Sequence, residues 1–462
     1  MIRAVFLLLL LAAFMLAAAW FADRPGQVAI EWEGWKLSTS VPVLLAAIAL
    51  FAAVVALLYR FWRAIVGAPR AFGRWRRERR RRKGYVALTQ GMVAVAAGDP
   101  DEARRQARRA DVLLNEPPLT MLLSAQAAQL NGDENAASRY FTQMLERGET
   151  EFLGLRGLLI QAMRKGDHQR AIELARRARG LRSRTPWLLT TLFELETRTG
   201  DWRAAADTLG QVQRTKALPA PQTRRHEAAV LVELSRTAAA QGRGRDALRH
   251  AEQAHRADSD HLAATIWLAE RYAEADKGRA AERIVEQQWA RQPHPDLLAA
   301  YRRARPVAEP LQWVKQVERL ARLAPLNRET MIALGTANLD AKLWGEARRH
   351  LSAALEAGQG EPSAGLCRLM ARLEEEEAQN PAAVREWLAR AAEAPPDPAW
   401  VCEVCGAAHA RWQGNCSRCG SFDKLVWRAP ARVQPVLVAS EAPAALPPAN
   451  DSPPPSSATP EL

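Results

Sequence analysis

The sequence predicts an all-α protein in which two membrane helices lead into a solenoid of helix pairs, closed by a small four-cysteine ribbon and a disordered tail. Three observations predict it. Two uncharged stretches stand near the N-terminus, a 34-residue self-similarity runs through the middle, and four of five cysteines form two Cys-x2-Cys pairs near the C-terminus.

Ala4 to Ala22, "AVFLLLLLAAFMLAAAWFA", and Val41 to Tyr59, "VPVLLAAIALFAAVVALLY", are nineteen residues each without a charge. At about 1.5 Å of rise per residue, each helix comes close to spanning a hydrocarbon core of roughly 30 Å. Helices over about 3–22 and 41–62 are therefore expected, joined by a loop over 23–40; a cleaved signal peptide is the alternative for the first. In that loop Val28, Ile30, Trp32 and Trp35 suit a short strand or hairpin, and an irregular connection suits them equally.

The formal net charge of +13 is concentrated in one place: Arg60 to Lys83 holds eleven bases against one acid, Glu78. The loop between the apolar stretches has two bases and three acids. This asymmetry predicts a periplasmic loop and a cytoplasmic remainder in a bacterial inner membrane. Directly inside a membrane helix, the segment 67–83 with Arg74, Arg76, Arg77, Arg79, Arg80, Arg81, Arg82 and Lys83 is expected to meet anionic lipid headgroups rather than nucleic acid.

Gly98, Gly132, Gly166 and Gly200 recur every 34 residues, each followed by an aspartate, and Ala103, Ala137, Ala171 and Ala205 keep the same step. A glycine can end a helix in the left-handed conformation, and the aspartate after it can cap the next. The alanine then lets two helices approach closely. Ala247, Ala281, Ala347 and Ala383 resume the pattern, with Ala269, Gly335 and Ala371 as small residues twelve positions before the last three. A period of 34 is that of tetratricopeptide repeats. Eight or nine helix pairs are expected over 84–394, forming a solenoid with a groove for protein partners whose residues one sequence does not single out.

Cys402, Cys405, Cys416 and Cys419 sit in "CEVCG" and "CSRCG", ten residues apart. In a reducing compartment such knuckles hold a metal rather than disulfides. Two intervening residues turn both sulfurs of a pair to one side, and Gly406 and Gly420 allow the tight return that aims backbone amides at thiolates. A closed four-sulfur shell points to structural zinc over 399–428, with iron as the alternative. His409 is a further ligand candidate or an ordinary surface histidine, and Cys367 reads as a small core residue. The aromatic side chains Trp400, Trp412, Phe422 and Trp427 exceed what so small a ribbon covers, so some are expected to pack on the last repeat helices, for instance around Trp387. Residues 429–462, rich in Pro, Ala and Ser, read as disordered.

The loop "DRPGQVAIEWEGWKLSTSV", the arginine run and "GYVALTQGMVAVAAGDPDEARR" resemble the N-terminal region of HemY-type membrane proteins. That resemblance implies two membrane helices, tetratricopeptide repeats and a link to heme and porphyrin synthesis. The ribbon is similar to that of Sms-type DNA-repair ATPases, with Trp412 and Gly414 before the third cysteine, although no Walker motif accompanies it. The order of repeats followed by a rubredoxin-like ribbon is similar to lipopolysaccharide assembly protein B, which implies an adaptor of envelope synthesis or proteolysis. No nucleophile–base pair, carboxylate dyad or phosphate loop stands out, and "GQGEPSAG" lacks dinucleotide-binding spacing. The expected function is a non-catalytic scaffold for cytoplasmic or membrane proteins, with no small-molecule substrate; a rubredoxin-like redox carrier is the remaining alternative.

Overall fold

The computed structural model describes residues 26–32, 35–114, 117–357 and 362–431, with single positions 12, 15, 16 and 20 before them. The first expected membrane helix, those positions aside, and the expected tail beyond 431 lie outside the described residues. The chain divides at Gly157 into two compact units.

In the first unit the loop is an antiparallel hairpin, β1 (Gln27–Trp32) and β2 (Trp35–Ser40), with Gln27 opposite Ser40 and Trp32 opposite Trp35. The helix α1 follows over Val41–Ala97, 57 residues and so roughly 85 Å long. Its stretch Val43–Arg63 has mean hydropathy 2.4 and no buried residue; among the described residues it is the one helix long and apolar enough to cross a membrane. The anchor helix, the Arg-rich segment and the first helix of the first pair, expected separately, are thus one unbroken helix. Strong helix formers, chiefly arginine, carry it from Trp75 onward, and Gly84 lets it lie against Leu114, where a Cβ would come within 2.6 Å.

Helices then alternate: α2 (Pro100–Leu114), α3 (Pro117–Leu130), α4 (Glu134–Met144), α5 (Glu151–Arg164), α6 (His168–Leu181), α7 (Pro186–Arg198), α8 (Trp202–Thr215), α9 (Ala220–Ala240) and α10 (Gly244–Ala257). They continue as α11 (Leu262–Glu274), α12 (Gly278–Trp289), α13 (Pro295–Ala304), α14 (Pro310–Ala321), α15 (Arg328–Asp340), α16 (Trp344–Glu356), α17 (Ala364–Leu373) and α18 (Pro381–Glu393). Counted from the end of α1, the described residues form nine pairs, in which α7, α9, α11 and α13 are first helices.

The turn inside each early pair is the one the spacing predicts. Gly98, Gly132, Gly166 and Gly200 have φ of 75°, 74°, 73° and 75°. The aspartate after each donates its amide to the carbonyl five residues back, as Asp99 does to Ala94 at 2.9 Å and Asp167 to Ala162 at 3.0 Å. Its carboxylate then accepts an amide of the next helix, from Glu102, Ala136, Arg170 and Ala204 in turn. In later pairs Asp276 and Lys342 take the left-handed position at φ 57° and 58° instead of glycine. The recurring alanines are buried from Ala103 to Ala347, and Ala383 is only half-buried because α18 has no following pair to cover it. Gly335 is a close approach: a Cβ there would stand 2.5 Å from Leu351.

Candidate metal centre and its dock

Beyond α18 a linker stays on the last pair: Pro395 accepts the amide of Ala364 at 3.0 Å, and Asp397 accepts that of Gly365 at 2.7 Å. The ribbon then forms a three-stranded sheet in the order β4 (Ala408–His409), β3 (Ala399–Cys402), β5 (Leu425–Arg428), with Trp400 opposite both His409 and Trp427. Its two knuckles have the same construction. Gly406 donates to Cys402 at 2.9 Å and Gly420 to Cys416 at 2.8 Å, with φ of 71° and 70°. The return is completed by Cys402 donating to Ala407 and Cys416 to Ser421.

This construction turns the four sulfurs inward, within 4.8 Å of one another. Cys402 and Cys416 are buried, Cys405 and Cys419 half-buried. The Sγ atoms of Cys402 and Cys419 are 3.7 Å apart and those of Cys405 and Cys416 3.6 Å. A regular tetrahedron with metal–sulfur arms of about 2.3 Å needs about 3.8 Å, so the donor set fits a four-coordinate cation. Its surroundings favour thiolate at Cys402 and Cys419; at Cys405 the Ala407 amide favours it too, but burial and the neighbouring sulfurs outweigh that and push the thiol up to about 12. Burial works against ionisation of Cys402, but the Ser421 hydroxyl and the amides of Cys405 and Val404 outweigh it and draw the thiol below its ordinary range. The same hydroxyl, 2.9 Å from Cys419, lowers that thiol. His409 is outside the four-sulfur set: its Nε2 lies 3.4 Å from Cys416 Sγ, and its Nδ1 is held by Gln413 at 3.1 Å.

The ribbon does not pack where the aromatic count suggested. Trp387 belongs with Leu339, Leu351 and Leu366 in a cluster that contains no ribbon residue. Trp400, Cys402, Trp412, Cys416 and Leu425 instead share one core with Ala229, Leu262, Ile266, Trp289 and Leu297. The ribbon thus lies across the first helices of four successive pairs. The contacts there are polar as well as apolar.

At the centre is Asp423, 2% exposed and at φ 52°, which accepts from Arg225 Nε at 3.0 Å and lies 3.3 Å from His226 Nδ1 and 3.4 Å from His261 Nε2. Burial raises its pKa, yet hydrogen bonds from His226 and His261, with Arg225 beside them, hold the carboxyl well below the usual carboxylate range. Next to it the Phe422 ring meets Phe193 edge-on at 5.5 Å and His226 at 5.4 Å. On one side Arg198 donates to the Cys419 carbonyl at 2.9 Å and Asn415 to the Thr197 carbonyl at 2.6 Å. On the other, Arg236 donates to the Trp412 carbonyl at 2.7 Å, and the Gly414 amide donates to Glu233 at 2.7 Å. A Cβ at Gly414 would stand 2.8 Å from Glu233, so the contact requires glycine. Farther along, the buried ring of His294 touches Trp427 at 4.2 Å and Trp400 at 5.4 Å, and burial lowers its pKa to about 4.

His226, His261 and His294 are 35 and 33 residues apart, close to the repeat period, in a chain with eight histidines. That recurrence is the sequence signal from which the dock could have been found. The lone Cys367 is buried in α17. In the first unit Arg76 to Lys83 are exposed, with Arg79 over the Trp75 ring at 5.2 Å and Arg80 donating to the Val112 carbonyl at 2.6 Å; the side chain of Arg74 lies outside the described residues.

Residues 26–132, which hold the hairpin, the apolar helix and the first repeat turns, match the family model described as HemY protein N-terminus. The N-terminal region is similar to that of HemY proteins. The HemY protein of Escherichia coli K12 is 27% identical over 212 residues, 45% of this chain and 52% of its own length, so the likeness spans about half of that protein. The probable magnetosome protein Mms48 of Magnetospirillum gryphiswaldense is 29% identical over 95% of this chain and 96% of its own. Among solved structures, Naa15/Naa10 bound to HypK-THB aligns at 16% identity over 67% of this chain and 49% of that one, with a TM-score of 0.39. The TPR2AB domain of yeast Sti1 aligns at 14% identity over 67% and 98%, with a TM-score of 0.27. The region similar to the HemY N-terminus thus precedes an array of tetratricopeptide-like pairs and a four-cysteine cluster able to hold a metal ion.

Proposed function

We propose that this chain is a bacterial inner-membrane scaffold that holds other proteins at the cytoplasmic face, without catalysing a reaction. The carrying observation is the unbroken helix Val41–Ala97, apolar and unburied at one end and the first member of the repeat array at the other. An array tethered so directly acts at the membrane surface. Exposed bases from Arg76 to Lys83 follow the apolar span on the same helix, and in this reading each one that reaches an anionic leaflet contributes about 1 kcal/mol of attraction. The four cysteines hold zinc as a structural ion in this reading, because a closed sulfur shell leaves no position for substrate.

By likeness to HemY the clients belong to heme and porphyrin synthesis. A second reading, an adaptor serving envelope assembly, is favoured by the ribbon after the repeats. In-cell crosslinking of the full chain, followed by mass spectrometry of the membrane fraction, separates the two. Enzymes of tetrapyrrole synthesis support the first reading and envelope-synthesis enzymes or proteases the second. A reporter fused after residue 430 that is active only outside the inner membrane sinks both.

A further inference from the structure

We propose that the row of first helices α7, α9 and α11 is a recognition face for a protein segment carrying an aromatic residue followed by a carboxylate. The chain's own Phe422 and Asp423 fill it, and loss of the ribbon's metal opens it to a partner of the same chemistry. The proposal rests on the scaffold reading above and names what that scaffold recognises.

The contacts themselves define the ligand. Phe422 occupies an aromatic slot between Phe193, Trp202 and His226, at 5.5, 6.0 and 5.4 Å. The adjoining carboxylate of Asp423 is taken by Arg225, His226 and His261. The remaining cations end on main-chain carbonyls, Arg198 on Cys419 and Arg236 on Trp412, groups that any peptide carries. Nothing in this set of acceptors requires a ribbon. Beside Phe422 a cavity of about 330 Å³, lined by Met163, Thr190, Leu218 and Gln222, extends the slot and has room for another side chain.

The metal enters because the remaining anchors belong to one loop. Trp412, Gly414, Asn415 and Cys419 lie within the stretch that the four sulfurs shape, and thirty residues have no core able to hold it otherwise. With the cation in place, the ribbon is a preorganised ligand tethered at high effective concentration, which excludes competitors. Without it, docking must supply the ordering entropy of the loop, while the helices that carry the face persist.

The test uses the full chain in detergent and a fluorescent peptide spanning Gly414 to Arg428, carrying Cys416→Ser and Cys419→Ser. Anisotropy is expected to show no binding to zinc-loaded protein and saturable binding after chelation. Peptides with Asp423→Asn or Phe422→Ala should bind at least about thirtyfold more weakly, as loss of a buried charge pair or aromatic anchor implies. Because chelation could disturb the repeats, the full-chain Asp423→Asn variant with its zinc retained serves as a second arm, expected to take up the peptide that keeps Phe422 and Asp423 without chelation. Equal binding to loaded and stripped protein overturns the proposal. So does indifference to Asp423→Asn in the peptide, or a folded, zinc-loaded variant chain that refuses it. A stripped chain that dimerises and excludes peptide would assign the face to a second copy, and overturns it too. Crosslinked partners without peptide binding defeat this inference alone; peptide binding without any crosslinked partner defeats the scaffold reading.

Discussion

The helix pairs between Pro186 and Asp340 and the ribbon lying on them bury their residues by opposite means. In the pairs a small apolar residue returns at one step, and Ala205, Ala247 and Ala281 are buried against neighbours in the same or the next pair. In the ribbon the buried centre is a carboxylate, and its partners lie 162 to 198 residues earlier in the chain. Pair stability is therefore local and nearly additive along the chain. Ribbon stability depends on distant, charge-assisted hydrogen bonds and, in the proposed reading, on a cation held by the four sulfurs.

The largest test of that contrast is the double variant Cys402→Ser with Cys405→Ser. It is expected to lose the metal and the ribbon fold, on the order of 10 kcal/mol for a structural zinc site, while the repeats keep their helical circular dichroism. Loss of most of that signal would show the cation to be integral to the array and would erase the difference between the two regions.

A middle-sized effect comes from His294, which is fully buried between the array and the ribbon and whose pKa is lowered to about 4 by burial. Unfolded, it takes a proton near pH 6.5; folded, it resists until about pH 4. The unfolded state therefore binds more protons in that window. Stability is fully present above about pH 6.5 and falls by roughly 3 kcal/mol as pH drops through 4. Urea unfolding against pH should give this slope, and His294→Asn, which keeps an acceptor for the Asp296 amide, should flatten it. An unchanged slope in the variant would separate this residue from the acid sensitivity of the dock.

The smallest effect is Gly166→Ala. The position has φ 73° and open space around the missing Cβ, so only backbone strain is at stake, about 1 kcal/mol. Thermal unfolding should shift by that amount with metal content unchanged. A released ribbon in this variant would mean that strain travels between pairs, contrary to the local picture.

The period of 34 was legible because each of the first four pairs repeats one local rule, a left-handed glycine and a capping aspartate, that needs no knowledge of the rest of the chain. The later turns, where Asp276 and Lys342 replace glycine, were harder to read because tertiary packing holds residues there that would not choose a positive φ unaided. The four sulfurs were equally legible, since two-residue spacing with a following glycine folds each knuckle by itself. His226, His261 and His294 carried a signal in their spacing, but a histidine has many uses, and the partner that gives these a role is Asp423, far along the chain.

By itself, then, the sequence determined the parts: an apolar span with bases on one side, helix pairs, and a metal knuckle, all set by residues within a few turns of one another. Only the tertiary structure decided that the span and the first pair are one helix, and that the ribbon lies on the middle first helices instead of around Trp387. Periodicity and spacing act over tens of residues. Where a buried carboxylate finds two histidines and an arginine is settled by which surfaces meet once every local element has formed.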